Sequence, residues 1–151
     1  MKITQALVAE HVVFHSLFDY IDRTAPKLRS VAEVRTLSDL LAAMLEEHSE
    51  AEDQLLIEPL EPSFCQLGQD RNFHDEHDAI ERYLASARSA RSLAKAKQLL
   101  ANAVALARKH FDKEERIVFP LAEKLLSARS QLLLGKRWQE RKKLLNSASE
   151  S

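Results

Sequence analysis

Apolar residues recur every three or four positions along most of the chain, the spacing of one buried face of an α-helix. Ile3, Leu7, His11, Phe14, Phe18 and Ile21 form one such stripe and predict a helix over residues 4–22, stopping near Thr24, Ala25 and Pro26. Ser30 with Glu33 reads as a capping box. The helix it opens carries Leu37, Leu41, Met44, His48, Glu52 and Leu55 on one face until Pro59 and Pro62 end it. Residues 59–68 are expected to form a loop. Phe73, His77, Ile80, Leu84 and Ala87 set a third helix, and the Ser/Arg/Ala stretch 86–92 a connection. The fourth starts near Leu93 with Leu99, Ala103, Leu106, His110, Glu114 and Ile117 in one stripe, and meets a kink at Pro120 before continuing as LAEKLL. After Ser130 the amphipathic segment QLLLGKRWQERKKLL predicts a fifth, short helix, and residues 146–151 a frayed tail.

Composition narrows this picture to an all-α one. Of 151 residues only two are Gly and four Pro, while Ala, Leu, Glu, Lys and Arg dominate, which leaves little material for strands or tight turns. A chain of this length buries one continuous core without disulfides, and the single Cys65, an ordinary loop thiol on this reading, excludes an intrachain bridge. The formal net charge of -1 provides no long-range field for capturing nucleic acid or an anionic membrane, so neither is an expected partner. Gln5 and Glu10 break the N-terminal stretch before any signal-like apolar run develops, and no run of roughly 18 apolar residues occurs, so a cytoplasmic location is expected.

The chemistry sits inside the stripes. His11, His48, His77 and His110 each lie in the middle of an apolar face, and His48 and His110 carry Glu52 and Glu114 four residues on, one turn away on the same face. The chain also repeats itself weakly: Glu10-His11 and Glu76-His77 head two halves, and His48-x3-Glu52 and His110-x3-Glu114 close them, each followed by a proline 11 or 10 residues after its histidine. Two similar helix pairs thus deliver one histidine and one His/Glu pair apiece. His15 and His74 fall on the flanks of their stripes and are second choices, as additional ligands or as partners of ligands.

Each feature alone has an ordinary reading, since a histidine in an apolar stripe is commonly a hydrogen-bonded core residue and an H-x3-E pair commonly stabilises a helix. Burying four imidazoles and two carboxylates together is costly unless something neutralises them, and divalent cations do. Imidazole nitrogen with carboxylate oxygen suits iron, zinc or manganese. Six donors exceed one tetrahedral ion and fit two ions that share carboxylates, with Glu52 and Glu114 as bridges and a coordination position left open. Phe14, Phe18, Leu45, Leu55, Ile80, Phe111 and Ile117 are expected to keep the pocket dry and favour small uncharged ligands. Glu47, Asp53 and Glu115 are expected to face solvent. Residues 136–143, KRWQERKK, read as the solvated side of the last helix anchored by Trp138, a surface on which a second copy or a protein partner could dock.

The segments AEHVVFHSLFDYID, EEHSEAEDQLLIEPL, HDEHDAI and KHFDKEERIVFPLAEKLL resemble the hemerythrin-like, or HHE cation-binding, domain over about residues 3–128, the last being the most specific. The resemblance implies an up-down-up-down four-helix bundle over residues 1–128 with the additional C-terminal helix and tail over 129–151. It also implies a non-haem di-iron centre, bridged by an oxo or hydroxo species and by carboxylates, with O2 or a similar diatomic as ligand. His11, His48, Glu52, His77, His110 and Glu114 match the family's ligand positions. The chain differs from the oxygen carriers in having His74 and His77 three rather than four apart, and four rather than five histidines at matching positions. That brings it nearer the wider group, which includes iron and oxygen sensors, iron-sulfur cluster repair proteins and proteins reactive toward peroxide or nitric oxide. Two classes of function are implied: a di-iron binding module that senses, stores or delivers a diatomic, and an enzyme acting on peroxide or nitric oxide or donating iron for cluster repair.

Overall fold

The computed structural model describes residues 1–67 and 70–149, and all of its regular elements are helical. In order they are α1 (Ile3–Thr24), α2 (Val31–Glu52), α3 (Glu58–Leu67), α4 (Asp70–Ser89), α5 (Leu93–Lys113), α6 (Phe119–Leu125) and α7 (Ala128–Ser149). Side-chain caps open three of them. Glu33 N–H donates to Ser30 Oγ (3.2 Å) at α2, Lys95 N–H to Ser92 Oγ (3.1 Å) at α5, and Ser130 N–H to Ser127 Oγ (3.1 Å) at α7, each satisfying an amide that the first turn leaves unpaired.

The bundle is built from α1, α2, α4 and α5, and its interior falls into two apolar clusters. One gathers Phe14, Phe18 and Ile21 from α1, Val34, Leu41 and Leu45 from α2, Ile80 and Leu84 from α4, and Leu100, Val104 and Phe111 from α5. The other gathers Ile3 and Leu7 with Leu55, Leu56, Ile57, Leu60, Val118, Phe119 and Leu134. Residue numbers rise along α1 toward the first cluster and fall along α2, so the two helices run antiparallel, as a short connection between them requires. His11, His48, His77 and His110 all fall between the two clusters. The common register of the four stripes thus becomes one polar layer with dry packing on both sides.

Two corrections to the sequence reading share one cause. The second helix does not end at Pro59: a π turn, Asp53–Ile57, joins α2 to α3, which continues helically through Pro59 and Pro62 where a loop was expected over residues 59–68. Gly68 lies outside the described residues, as does the side chain of Phe73. A second π turn, Glu114–Val118, joins α5 to α6 just ahead of Pro120. Glu58 N–H reaches back five residues to Asp53 O, and Phe119 N–H to Glu114 O. The ladder is therefore already displaced where a proline supplies no N–H and its ring would crowd the carbonyl four residues back. The extra residue also rotates the next turn of helix, so that Ile117 is 51% exposed and Val118 takes the buried place expected for it.

At the chain's end α7 is helical to Ser149, beyond the expected limit at Leu145, and packs against α1 and the first π turn. Only part of the 136–143 run faces water. Arg141 forks onto both oxygens of Glu47 (3.0 and 2.9 Å) and also reaches Glu50 and Gln54, while Lys142 Nζ bonds Glu10 at 2.7 Å and lies 5.6 Å from the Trp138 ring centre. Glu47, expected in solvent, is the hub of this clasp, and Arg141 holds its carboxyl below the usual range. Gly135 is where α7 crosses the N-terminus, because a Cβ there would stand 2.0 Å from the Met1 carbonyl oxygen. Gly135→Ala is therefore expected to cost about 1–2 kcal/mol by forcing the crossing apart, read as a lower Tm with faster proteolysis inside α7.

Candidate metal centre

Four helices each contribute to the polar layer, and they do so in crossed pairs. In the first half His48 of α2 gives its Nδ1–H to Glu10 of α1 at 2.7 Å; in the second, His110 of α5 gives its Nδ1–H to Glu76 of α4 at 2.5 Å. The two Glu-His dipeptides of the sequence repeat thus do double duty. Each histidine faces the centre while the glutamate before it orients the histidine of the neighbouring helix. A lysine completes each set: Lys142 on Glu10 at 2.7 Å, from α7, and Lys113 on Glu76 at 3.0 Å, from α5. Burial raises the Glu10 and Glu76 carboxyls, but the imidazole and ammonium beside each outweigh it and keep both ionised.

Once Nδ1–H is committed to a carboxylate, Nε2 carries a lone pair aimed inward. His11 Nδ1 is likewise bonded to Glu115 at 2.8 Å, and His11 Nε2 stands 3.3 Å from His48 Nε2. Two lone pairs cannot bond each other, whereas a cation between them satisfies both. His77 Nε2 faces His110 Nε2 at 2.7 Å in the other half. Burial pushes His48 below the ordinary imidazole value and favours its neutral, metal-binding form.

The carboxylates lie between the two histidine pairs. Glu114 Oε2 is 3.1 Å from His11 Nε2 and its Oε1 is 2.5 Å from His110 Nε2, with His77 Nε2 3.9 Å away. Glu52 Oε2 is 3.7 Å from His77 Nε2. Both glutamates are fully buried; among the described residues no hydrogen bond of good geometry reaches Glu52, and Glu114 is met by imidazole nitrogens. Burial, and then the charge of Glu114, push the Glu52 carboxyl well above its ordinary value; burial acts the same way on Glu114, but His11, His110 and His77 hold it well below. Orphaned buried oxygens opposite imidazole lone pairs are a donor set with its cation left to supply.

Two groups of donors, each with its atoms within 4.8 Å of one another, result: Glu52, His77, His110 and Glu114, and His11, His48 and Glu114. Glu114 belongs to both. The six residues picked from the stripes are brought together, while His15 and His74 lie outside these groups. His15 is half-buried with its ring edge-on to Phe18 and Phe111, and His74 is exposed beside a cavity. Sequence reasoning missed Glu115 as the partner of His11; it is 39% exposed along its side chain and so faces both ways. Nor did it assign roles to Glu10 and Glu76, although their identical place before a histidine was a visible signal. Phe14, Phe18, Leu45, Leu55, Ile80 and Phe111 wall the layer as expected, with His11 stacked on Phe111 at 3.9 Å.

The hemerythrin HHE cation binding domain matches residues 69–146, just over half of the 151, and so includes His77, His110 and Glu114. The chain belongs to that family. No curated protein and no solved structure matches it. The first half of the chain lies outside the matched span, yet it repeats the second half's Glu-His crossing and supplies His11, His48 and Glu52 to the two groups that could hold a metal ion. No described helix is long and apolar enough to cross a membrane.

Two outcomes test this geometry. In chelator-treated protein Glu52→Gln should raise stability by about 1 kcal/mol at pH 8, or about 3 °C in Tm, because a carboxyl raised by burial favours folding only while protonated. That favourable contribution is full below the ordinary carboxylate range and lost as pH rises, so the advantage of Gln should narrow toward acid in thermal melts. Glu10→Gln should weaken metal binding at the His11/His48 group about 10- to 100-fold, read by competition with a coloured chelator.

Proposed function

We propose that this hemerythrin-family protein holds two iron ions, one on His11 and His48 and the other on Glu52, His77 and His110, with Glu114 shared between them, and binds O2 or a similar diatomic for sensing, storage or delivery. The observation that carries this reading is the membership of one fully buried carboxylate, Glu114, in both donor groups. A carboxylate can bridge two ions where an imidazole cannot, and the imidazole-rich set suits a ferrous/ferric couple, with zinc and manganese as chemical competitors. When bound, the pair of ions would supply redox chemistry toward a small ligand. The chain's own contribution is to fix three of the six donors, His48, His110 and His11, through Glu10, Glu76 and Glu115, favour the neutral form of His48 by burial, and exclude water with two apolar clusters.

Metal analysis of aerobically and anaerobically reconstituted protein should return two ions per chain for the wild type, one for His48→Ala and none retained through a desalting column for Glu114→Gln. The visible spectrum of the reduced, iron-loaded protein then separates the classes of function. Charge-transfer bands that appear with oxygen and vanish on flushing support a reversible binder. Bands that settle irreversibly overturn reversible binding in favour of an enzyme or an iron donor, and a stoichiometry of one overturns the binuclear reading.

A further inference from the structure

The formal net charge of -1 conceals an uneven distribution. Helix α7 holds six of the chain's 22 Lys and Arg but one of its 23 Asp and Glu, a formal +5 against -6 for all other residues. Two of the six cations turn inward, where Arg141 and Lys142 are matched by Glu10, Glu47 and Glu50. The other four, Arg129, Lys136, Arg137 and Lys143, are exposed, and helical spacing sets them on one side of α7 together with Leu132, Leu133 and Leu144, each more than half exposed at 52, 53 and 71%. This side is opposite Leu134 and Trp138, which hold the helix to the second apolar cluster. Glu140 is the one acid on it, 3.9 Å from Lys136.

Cations interleaved with leucines on a solvated helix face match a surface that is anionic at the top and apolar just beneath, as the headgroup and acyl boundary of a bilayer are. A nucleic-acid backbone offers the charge without the apolar layer. Specific protein interfaces rest on buried aromatic and Arg anchors, whereas the chain's single Trp is turned toward the bundle. The shape also suits a flat surface, since 22 residues of helix make a straight rod about 33 Å long. The acidic remainder of the chain stands behind that rod, whose width of about 10 Å is close to one Debye length, so its repulsion is largely screened from anything touching the outer face. We propose that the outward face of α7 docks the protein on an anionic phospholipid bilayer, with α7 lying in the headgroup plane and the acidic bundle turned away. No residue of this face belongs to either donor group, so the inference stands apart from the metal-binding reading.

Sedimentation of the full chain with lipid vesicles tests this. Binding to vesicles of equal parts phosphatidylglycerol and phosphatidylcholine should be about tenfold or more tighter than to phosphatidylcholine alone, and should be lost in high salt. Arg129→Gln with Lys136→Gln should weaken it about tenfold, while removal of two exposed cations elsewhere, Lys27→Gln with Arg35→Gln, leaves it unchanged. Leu132→Ser with Leu133→Ser should weaken it about fivefold or more, and because all six side chains are exposed, helicity and thermal melting should stay as in the wild type. Metal-free and metal-loaded protein should bind alike. Indifference to phosphatidylglycerol, or an equal loss from the Lys27 and Arg35 pair, would overturn the proposal. So would evidence of another occupant: association between copies in the absence of vesicles that the leucine pair abolishes, or binding to duplex DNA as tight as to the vesicles and insensitive to the leucines.

Discussion

Everything in this bundle is arranged around two carboxylates that water cannot reach. Glu52 and Glu114 are closed off above and below by apolar clusters, and a protein interior does not tolerate such groups without partners of opposite charge. The imidazoles around them go part of the way, holding Glu114 ionised but leaving Glu52 to resist ionisation. A bound cation would resolve the remaining conflict, since it accepts imidazole nitrogens and carboxylate oxygens together. The outer carboxylates Glu10, Glu76 and Glu115 then act as hinges that fix which ring nitrogen points inward.

The two π turns serve the same constraint. Each begins at or directly after a buried glutamate and ends two residues before a proline. The local ladder is loosened beside the buried carboxylate and where an N–H is about to be missing. Helix continuity survives both demands, so α3 and α6 can carry the second apolar cluster past the polar layer. Without that cluster the layer would be the end of the bundle rather than its interior, and its charges would be open to water.

Much of this was legible in the chain. Periodicity alone placed the four stripes, because amphipathic helices of this length bury one face almost regardless of detail, and the six inward donors stood at the centres of those stripes. The parts that escaped it arise from changes in period and from tertiary pairing. Proline is a reliable local stop, so Pro59 hid the helix beyond it, which only the π turn makes possible; the same kind of inserted residue exchanged Ile117 for Val118. Glu10 and Glu76 sit one residue off the stripe centres and become partners only when a neighbouring helix is docked, which no single-helix pattern encodes. Arg141 and Lys142 likewise look like solvated charges until Glu47 and Glu10 are brought beneath them.

The crossing at Gly135 ties two distant stretches of sequence together. Ile3 and Leu7 share a cluster with Leu134, and Met1 packs where only a glycine of α7 leaves room. Ile3 is therefore covered by a residue 131 positions further along the sequence. Without Glu114 and Lys142, His11 and His48 would lack the carboxylate of their group and the ammonium that holds Glu10. Glu10, which orients His48, is thus itself held by Lys142 of α7, so that helix supports the interior of the bundle as well as covering its end.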